Sequence, residues 1–504
     1  MNLYPIKGGL NMRNRLRKTS LRLVFFVWIL ALYAFPSGAG EGESDKDNIC
    51  PGMGRSRQKE TLRNKHVVTW IKNNAFAIES LGASDNFDDL HKFGEMIGKA
   101  RIVALGEATH STSEFFTIRH RLIRYLVLEK GFNLLGIECS WPQAEHINKY
   151  ILTGEGNPRQ LLSNLHFWWT NTEEMLDIIN WMREYNKKAD SAVKIRFYGL
   201  DFQYHYGAID KVIDYLKRVD KDAVEKVESL LAPYIMFSGK VSGDGWNFRS
   251  ERRYRTITNY WYLSQDEKKF CREKLQAVYD FFVKNRTKYE GIDSRKGFVH
   301  ALQNVNIILQ AEERYANVKP FRGHGHYRDL FMAENAKWVL DFYGSDSKMI
   351  LWSHNYHISD YEETLGGYLR KEYGNDLRIV ALTCYSGAFN VTMPTDSPDA
   401  DFGRTRPMPC ELAVPTYGSF EDILHSTGYS QFYIDLRPLR NDNDSEVTDF
   451  FNQEISVLDL GTSYNPKTGY SFYDVHIPEI YDLVIFIDKT KPTKLLPLLP
   501  VSKK

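Results

Sequence analysis

Five side chains that can perform acid–base chemistry follow short apolar runs of the chain. Glu107 ends one such run and His110 follows it three residues later. Glu138 ends a second run, and His354 ends a third, with His357 three residues beyond it. Carboxylates and imidazoles brought into one crevice can take a proton from water, hold the base in one tautomer and stabilise an oxyanion.

The apolar runs have the length and composition of buried β-strands. They are Arg101–Glu107 (RIVALGE), Phe132–Glu138 (FNLLGIE), Lys194–Asp201 (KIRFYGLD), Met349–His354 (MILWSH) and Arg378–Cys384 (RIVALTC). Two later runs, Gln431–Leu436 and Leu483–Asp488, suit further or edge strands. Side chains just past the carboxyl ends of parallel strands meet at one edge of a sheet, so we expect these polar groups to converge.

A helix is predicted between the first two strands, because apolar residues recur at helical spacing over Ser111–Lys130. Ser111 and Glu114 predict a capping box at its start, and Gly131 suits its C-terminal cap. Arg119 lies on this helix and adds a guanidinium to the predicted site. Strand, helix and strand at this spacing form a unit with parallel strands and a right-handed crossover.

Each candidate also has a purely structural interpretation. Glu107 and Asp201 could cap the segments that follow them, and His110 could be a buried structural histidine. Arg119 could be an ion-pair partner on a helix surface, whereas Glu138 would need partners in any buried role. The active-site hypothesis rests on their joint occurrence at strand ends.

Several well-known site patterns are absent from the sequence. It has no GxSxG, HExxH, P-loop or GxGxxG motif. His324 and His326 resemble a metal pair, but no third ligand stands at a definable spacing, which favours a polar loop. Cys139 follows Glu138 directly, so strand alternation turns it to the opposite face of the sheet. No CxxC pair occurs among the five cysteines, and their pairing is left open.

The fold class predicted from these elements is α/β, with a mostly parallel sheet flanked by helices. Residues 205–320 carry long charged segments and few strand-like runs, and are expected to form a helical insertion within an α/β domain over residues 65–504. Residues 40–64 are polar and glycine-containing, as in a linker. The net charge of the 504-residue chain is only +1, which argues against a nucleic-acid partner.

The N-terminus has the layout of a secretory signal peptide. Residues 1–39 hold six cations and no acid. Within them a basic stretch precedes the apolar segment Leu21–Phe35, which is followed by small residues up to Ala39. The apolar segment is shorter than the roughly 20 residues of a membrane span. We therefore expect export and cleavage after Ala39, with an uncleaved anchor as the alternative and no other membrane contact.

The ordered blocks of the chain resemble the erythromycin esterase family of macrolide-hydrolysing enzymes and their relatives. The blocks are GEATH (Gly106–His110) with SEFFTIRHRL, GFNLLGIECSWPQA, WMREYN (Trp181–Asn186), FYGLDFQ (Phe197–Gln203), RDLFMAEN (Arg328–Asn335) and LWSHNYHI (Leu351–Ile358). They span about residues 65–490, nearly the whole chain after the signal. The resemblance implies an active site formed by Glu107, His110, Arg119, Glu138, His354 and His357, and a reaction that needs no metal or other cofactor.

The function expected from the residues and the resemblance together is hydrolysis of an ester or lactone by water that His110 activates. Glu107 or Glu138 would orient His110, and Arg119 with His354 or His357 would stabilise the oxyanion. A metal-dependent hydrolase using the same cluster is one alternative. The other is an exported, non-enzymatic ligand-binding protein that uses the histidines to hold haem or a metal. The expected partner is a small ester or lactone, and the residues that bind it are not indicated.

Overall fold

A parallel sheet forms the centre of the chain and brings the predicted strand ends to one edge. The computed structural model describes residues 64–165, 167–190, 193–238, 260–318, 325–395, 405–440, 445–465 and 472–499. The predicted signal peptide (1–39) and the predicted linker up to residue 63 lie outside the described residues, as does His324.

Eleven strands are described, nine of them in the main sheet. They are β1 (Phe76–Ala77), β2 (Ile102–Leu105), β3 (Leu134–Ser140), β4 (Arg196–Asp201), β5 (Met349–Trp352), β6 (Leu377–Val391), β7 (Met408–Glu411), β8 (Gln431–Asp435), β9 (Ile455–Leu458), β10 (Phe472–Val475) and β11 (Leu483–Thr490). The order is β1-β8-β11-β6-β2-β5-β3-β4, with β7 on β6, while β9 and β10 form a separate antiparallel pair. The six strands from β11 to β4 are parallel to one another.

Sixteen helices connect and flank these strands in the described residues. They are α1 (His91–Ile97), α2 (Ser113–Lys130), α3 (Trp141–Thr153), α4 (Pro158–Ser163), α5 (Glu173–Lys188), α6 (Tyr206–Val219), α7 (Val224–Ser238), α8 (Gln265–Lys284), α9 (Arg286–Ile292), α10 (Arg295–Asn317), α11 (Gly325–Tyr343), α12 (Asn355–Ile358), α13 (Leu365–Tyr373), α14 (Phe420–His425), α15 (Glu446–Phe451) and α16 (Ile477–Ile480). Residues 64–74 are also helical. Of the helices described, none is both long and apolar enough to cross a membrane.

Strand residues alternate between two cores, as expected when helices cover both faces of a sheet. In β2, Ile102 and Ala104 enter the core on one face, while Val103 and Leu105 enter the core on the other. The predicted α/β class with a mostly parallel sheet is therefore confirmed. The described residues between β4 and β5 are all helix or connecting turn, and this helical stretch continues through α11 to Tyr343.

The start of α2 differs from the sequence prediction. The helix begins at Ser113, its N-cap residue is Thr112, and no side chain caps it. The predicted capping box of Ser111 and Glu114 is wrong because the C-terminal segment 491–496 binds both residues. Glu114 accepts the Lys491 backbone N–H at 2.7 Å, while the Ser111 hydroxyl contacts that of Thr493. The predicted glycine cap at the other end is confirmed, since Gly131 has φ 72°.

Candidate active site

Glu107, His110 and Arg119 form a row of hydrogen bonds beyond the carboxyl end of β2. Glu107 Oε1 lies 2.7 Å from His110 Nδ1, and its Oε2 accepts a hydrogen bond from Arg119 Nη2. Glu107 and Arg119 are 1% and 0% exposed. Burial raises the pKa of the Glu107 carboxyl, but the positive charge of Arg119 and the bond to His110 outweigh it and leave the pKa below its usual value. Glu107 is thus a fixed carboxylate that orients the imidazole.

Arg119 binds the Glu107 oxygen that His110 does not contact. Its guanidinium stacks over Trp352 at 3.7 Å from the ring centroid, and its Nε donates to the Phe115 carbonyl at 2.9 Å. Arg119 is fully buried and its Nη2 is directed at Glu107, so it supports the carboxylate, while its Nη1 has no hydrogen-bond partner among the described residues.

Trp169 stacks on His110 and is a member of the site that the sequence did not indicate. The two ring centroids are 4.6 Å apart, at an angle of 23° between the ring planes. Trp169 belongs to a short 3₁₀ turn, Trp168–Thr170, that precedes α5. With His110 Nδ1 committed to Glu107 and one ring face covered, Nε2 has no hydrogen-bond partner among the described residues.

Glu138 is bound to a second guanidinium, that of Arg328. Arg328 Nη2 donates to Glu138 Oε1 at 2.6 Å and also lies 2.6 Å from Asp201 Oδ2. Ser353 Oγ and the His354 backbone N–H donate to Glu138 Oε2, at 2.5 and 3.2 Å. Burial raises the pKa of Glu138, yet the charge of Arg328 outweighs it and holds the pKa well below the usual value. Glu138 is therefore ionised and its two oxygens are occupied.

His357 belongs to the same cluster as Arg328. Its Nε2 accepts a hydrogen bond from Arg328 Nη1 at 2.9 Å, since an arginine can only donate. Its Nδ1 lies 2.8 Å from Asp329 Oδ1, so that Nδ1–H donates to the carboxylate. Both ring nitrogens are thus occupied by α11.

His354 lies between the two groups of residues. Its ring centroid is 4.8 Å from that of His110, and its Nε2 donates to the Leu460 carbonyl at 3.0 Å. Its Nδ1 lies 2.9 Å from Asp459 Oδ1. Burial lowers the pKa of His354, but the Asp459 carboxylate, with smaller contributions from Glu107 and Glu138, raises it to about 9.

The structure brings all six predicted residues to the same edge of the sheet. Glu107 follows β2, His354 follows β5 and Glu138 lies in β3, and these strands are neighbours in the order β2-β5-β3. Asp201 ends the adjoining β4. Glu107 and Glu138 line one small pocket whose other walls are mainly apolar. These lining side chains are Phe116, Ile137, Trp169, Thr170, Met175 and Trp352. A larger groove between α3, α6 and α10 includes none of the six.

The C-terminal segment 491–496 fixes the two loops that carry His110 and Trp169. The Thr493 backbone N–H donates to the Ser111 carbonyl at 3.1 Å, one residue after His110. Leu496 and Asn171 exchange hydrogen bonds of 2.8 and 2.9 Å close to Trp169. Nothing at the level of motifs indicated this role of the C-terminus.

Four functional candidates were missed from the sequence: Trp169, Arg328, Asp329 and Asp459. Arg328 and Asp329 open the block RDLFMAEN, which was recognised as part of the family pattern, and this was the only available signal for them. Trp169 and Asp459 lie in loops whose position depends on the tertiary fold.

A metal site is not formed by the described residues. No three His, Cys, Asp or Glu side chains among them are arranged to hold an ion. His326 from the predicted pair lies instead against Tyr368, with Nδ1 2.6 Å from the phenol oxygen.

Comparisons with known proteins agree on one family. A family model described as erythromycin esterase matches residues 127–490. The chain is 26% identical to the type II erythromycin esterase of Escherichia coli over 403 residues, which cover 74% of this chain and 89% of that enzyme.

Two solved structures share the fold. A Bacillus cereus protein superimposes with a TM-score of 0.71 at 26% identity, covering 86% of this chain and 99% of the other. A mutant of the erythromycin esterase EreC in its open conformation gives a TM-score of 0.60 at 18% identity, covering 82% and 96%. At 18% identity, the similarity to EreC is evidence for the fold alone.

Proposed function

The chain belongs to the erythromycin esterase family, and from this premise we propose that it hydrolyses a carboxylic ester or lactone with water activated by His110. The observation that carries the proposal is the 2.7 Å contact between His110 Nδ1 and Glu107. It fixes the tautomer with the proton on Nδ1 and directs the basic Nε2 away from the carboxylate.

In the proposed reaction, His110 Nε2 takes a proton from water while the water oxygen attacks the carbonyl carbon. Glu107 stabilises the imidazolium that forms, and Arg119 holds Glu107 in place. Collapse of the tetrahedral intermediate breaks the bond to the alcohol oxygen, which receives the proton from His110. The products are a carboxylic acid and an alcohol, with no covalent enzyme intermediate.

The oxyanion is stabilised by positive charge from the side of β5 and α11 rather than by Arg119. His354 carries a charge beside His110, and Arg328 has an N–H on Nη1 beyond the one that His357 accepts. Loss of a single oxyanion donor typically costs about 2.7–4 kcal/mol of transition-state stabilisation.

Turnover of a panel of 14-membered macrolides and simple carboxylic esters by the purified protein, followed by product mass, tests the proposal. Hydrolysis of at least one compound is expected, together with its loss in His110→Ala. The matched control is His425→Ala, because His425 is a half-exposed histidine paired with Asp488 and lies outside the site. Full hydrolysis by His110→Ala would rule out the general-base role.

The metal-dependent alternative is disfavoured by the cations already in the cluster. Arg328 occupies Glu138 and His357, the side chains that an ion would need as ligands. Elemental analysis of the purified protein, with turnover before and after EDTA, distinguishes the two reactions. A stoichiometric metal whose removal abolishes turnover would favour the alternative, and tight retention of a ligand without any turnover would favour a binding protein.

The substrate proposed is a small ester or lactone from outside the cytoplasm, because the N-terminal sequence has the layout of a signal peptide. Macrolides are included through the family, and a role in antibiotic resistance would follow only from their hydrolysis. N-terminal sequencing of protein recovered from outside the cytoplasmic membrane should begin near Gly40. A chain that begins at Met1 and stays with the membrane would instead indicate an anchor.

A further inference from the structure

We propose that Asp459 is a positioning residue that holds His354 in its cationic form beside His110. The inference rests on the proposed hydrolysis, in which that charge faces the developing oxyanion. It assigns a role to a loop residue outside every sequence block that marks the family, and it changes the role of His354 from a hydrogen-bond donor to a fixed charge.

The contacts of His354 distinguish its two protonation states. In both states Nε2–H donates to the Leu460 carbonyl, at 3.0 Å. In the neutral state Nδ1 would accept the Tyr356 backbone N–H, which lies 3.4 Å away. In the cationic state the charged ring has Asp459 Oδ1 beside it, 2.9 Å from Nδ1. The carboxylate is the nearer partner, and the ring is only 4% exposed, so water does not compete well for it.

The contact between the two side chains is an ion pair. Asp459 Oδ1 accepts no aligned hydrogen bond from the described residues, although His354 Nδ1 lies within 2.9 Å. Its effect on His354 is therefore one of charge, which an Asp459→Asn substitution removes while keeping the size of the side chain.

The loop that carries Asp459 is fixed on both sides. The Leu458 backbone N–H donates to Glu421 Oε1 at 3.1 Å, and the Leu460 backbone N–H donates to the Ala108 carbonyl at 2.7 Å. Thr109 forms a parallel bridge with Leu460. Asp459 is thus held by the same backbone that precedes His110, as expected for a residue that sets the geometry of the site.

Other titratable groups lie around His354 and Asp459. Glu107 at the end of β2 and Glu138 at the end of β3 also raise the pKa of His354, while its burial lowers it. His110 faces the ring from the turn before α2. Burial raises the pKa of Tyr356, Tyr473 and Tyr481, and the Asp459 carboxylate adds a smaller contribution in the same direction to each. Asp459 is the largest of the contributions that favour the cation.

In cationic His354, Nε2–H donates to the Leu460 carbonyl and Nδ1 lies against the Asp459 carboxylate. The residue therefore contributes charge at 4.8 Å from the His110 ring without donating a hydrogen bond to substrate. This charge is present below a pH of about 9 and is lost above it. Without Asp459 the burial of the ring would favour the neutral form at neutral pH.

Nitrogen-15 histidine NMR of the full chain from pH 5 to 10 tests the inference without reference to turnover. In the wild type we expect both His354 nitrogens to be protonated at pH 7.5, with signals assigned by their absence in His354→Gln. In Asp459→Asn the midpoint should fall by at least one pH unit. A neutral His354 at pH 7.5 in the wild type, or an unchanged midpoint in Asp459→Asn, would overturn the assignment.

The pH profile of kcat/KM gives a second readout. Asp459→Asn should move the alkaline limb to lower pH by the shift seen in NMR, whereas a merely structural defect would lower activity equally at every pH. Asp488→Asn is the matched control, since Asp488 pairs with His425 at 2.5 Å outside the site and should leave the profile unchanged. If no ester is hydrolysed by the wild type, the proposed function fails while the NMR result still decides the role of Asp459. Because the wild-type measurement needs only His354→Gln for its assignment, the test holds even if Asp459→Asn does not fold.

Discussion

Removing the charge of Glu107 should lower both the free energy of unfolding and kcat. The two losses have different causes, and a second substitution can separate them. Glu107→Gln leaves the Arg119 guanidinium buried and uncompensated, with 0% exposure. Breaking one side of such a pair costs about 3–5 kcal/mol of unfolding free energy, whereas replacing both partners by uncharged groups is often nearly neutral. Loss of the carboxylate that orients a catalytic histidine lowers kcat by about 10⁴-fold in a comparable triad.

The double variant Glu107→Gln with Arg119→Met separates these effects. We expect it to recover most of the stability lost in Glu107→Gln but none of the turnover, because the carboxylate is still missing. Urea denaturation of the wild type, both single variants and the double variant gives the coupling energy, expected to be about 3 kcal/mol. Steady-state kinetics on the same four proteins gives kcat.

A second buried ion pair, whose arginine lies on the same helix as Arg119, provides the control. Arg121 and Asp89 are 2% and 4% exposed, and Arg121 Nη1 donates to Asp89 Oδ2 at 2.8 Å. Asp89→Asn should lower the free energy of unfolding by a similar amount. Its kcat, corrected for the folded fraction, should stay within about threefold of the wild-type value, because Arg121 and Asp89 are not among the residues of the site. A coupling energy between Glu107 and Arg119 below about 1 kcal/mol would contradict their role as a buried ion pair. Wild-type kcat in Glu107→Gln would contradict the role of this carboxylate in orienting His110.

Three further predictions concern neighbouring features. Trp169→Ala should lower kcat about 2- to 13-fold by removing a stacking energy of about 0.5–1.5 kcal/mol, whereas Trp169→Phe should stay near the wild type in steady-state assays. Burial raises the pKa of Glu421 to about 7, so its protonated form stabilises the fold and this contribution is lost as pH rises from 4.5 to 7. At pH 8, Glu421→Gln should therefore have a free energy of unfolding up to about 3 kcal/mol above that of the wild type in urea denaturation. At pH 4.5 this gain should be absent. Asn335→Ala should cost about 2–3 kcal/mol in urea denaturation, because the Asn335 side chain bonds the Leu200 carbonyl and two buried glutamines of α10.

Seven of the eleven described strands were predictable because each contains an apolar run, whereas β1, β7, β9 and β10 were not predicted. β2, β3 and β5 all follow that pattern, and both faces of the sheet are covered. The order of the strands was not predictable, since β5 pairs between β2 and β3 although it lies more than 200 residues away in the chain. Such an order depends on how the helices pack, which no local pattern records.

The site was predictable at strand ends and not elsewhere. Glu107, Glu138 and His354 were found because parallel strands place their carboxyl ends together. Arg328 comes from a helix, and its charge pairs with strand-end carboxylates only after the insertion has folded back onto the sheet. Asp459 comes from a loop after β9, where a single aspartate carries no sequence signal. The groups proposed to react were therefore predictable from the sequence, whereas the groups that hold them were not.

The central claim is that water, rather than a side chain, attacks the ester carbonyl. A single-turnover hydrolysis in ¹⁸O-labelled water, with enzyme in excess over an ester that the protein hydrolyses, tests it directly. We expect the acid product of the first turnover to carry one ¹⁸O atom and the protein to carry none. An unlabelled first-turnover product, with ¹⁸O appearing in Glu107 or Glu138, would show that a carboxylate is the nucleophile and that water does not attack the substrate.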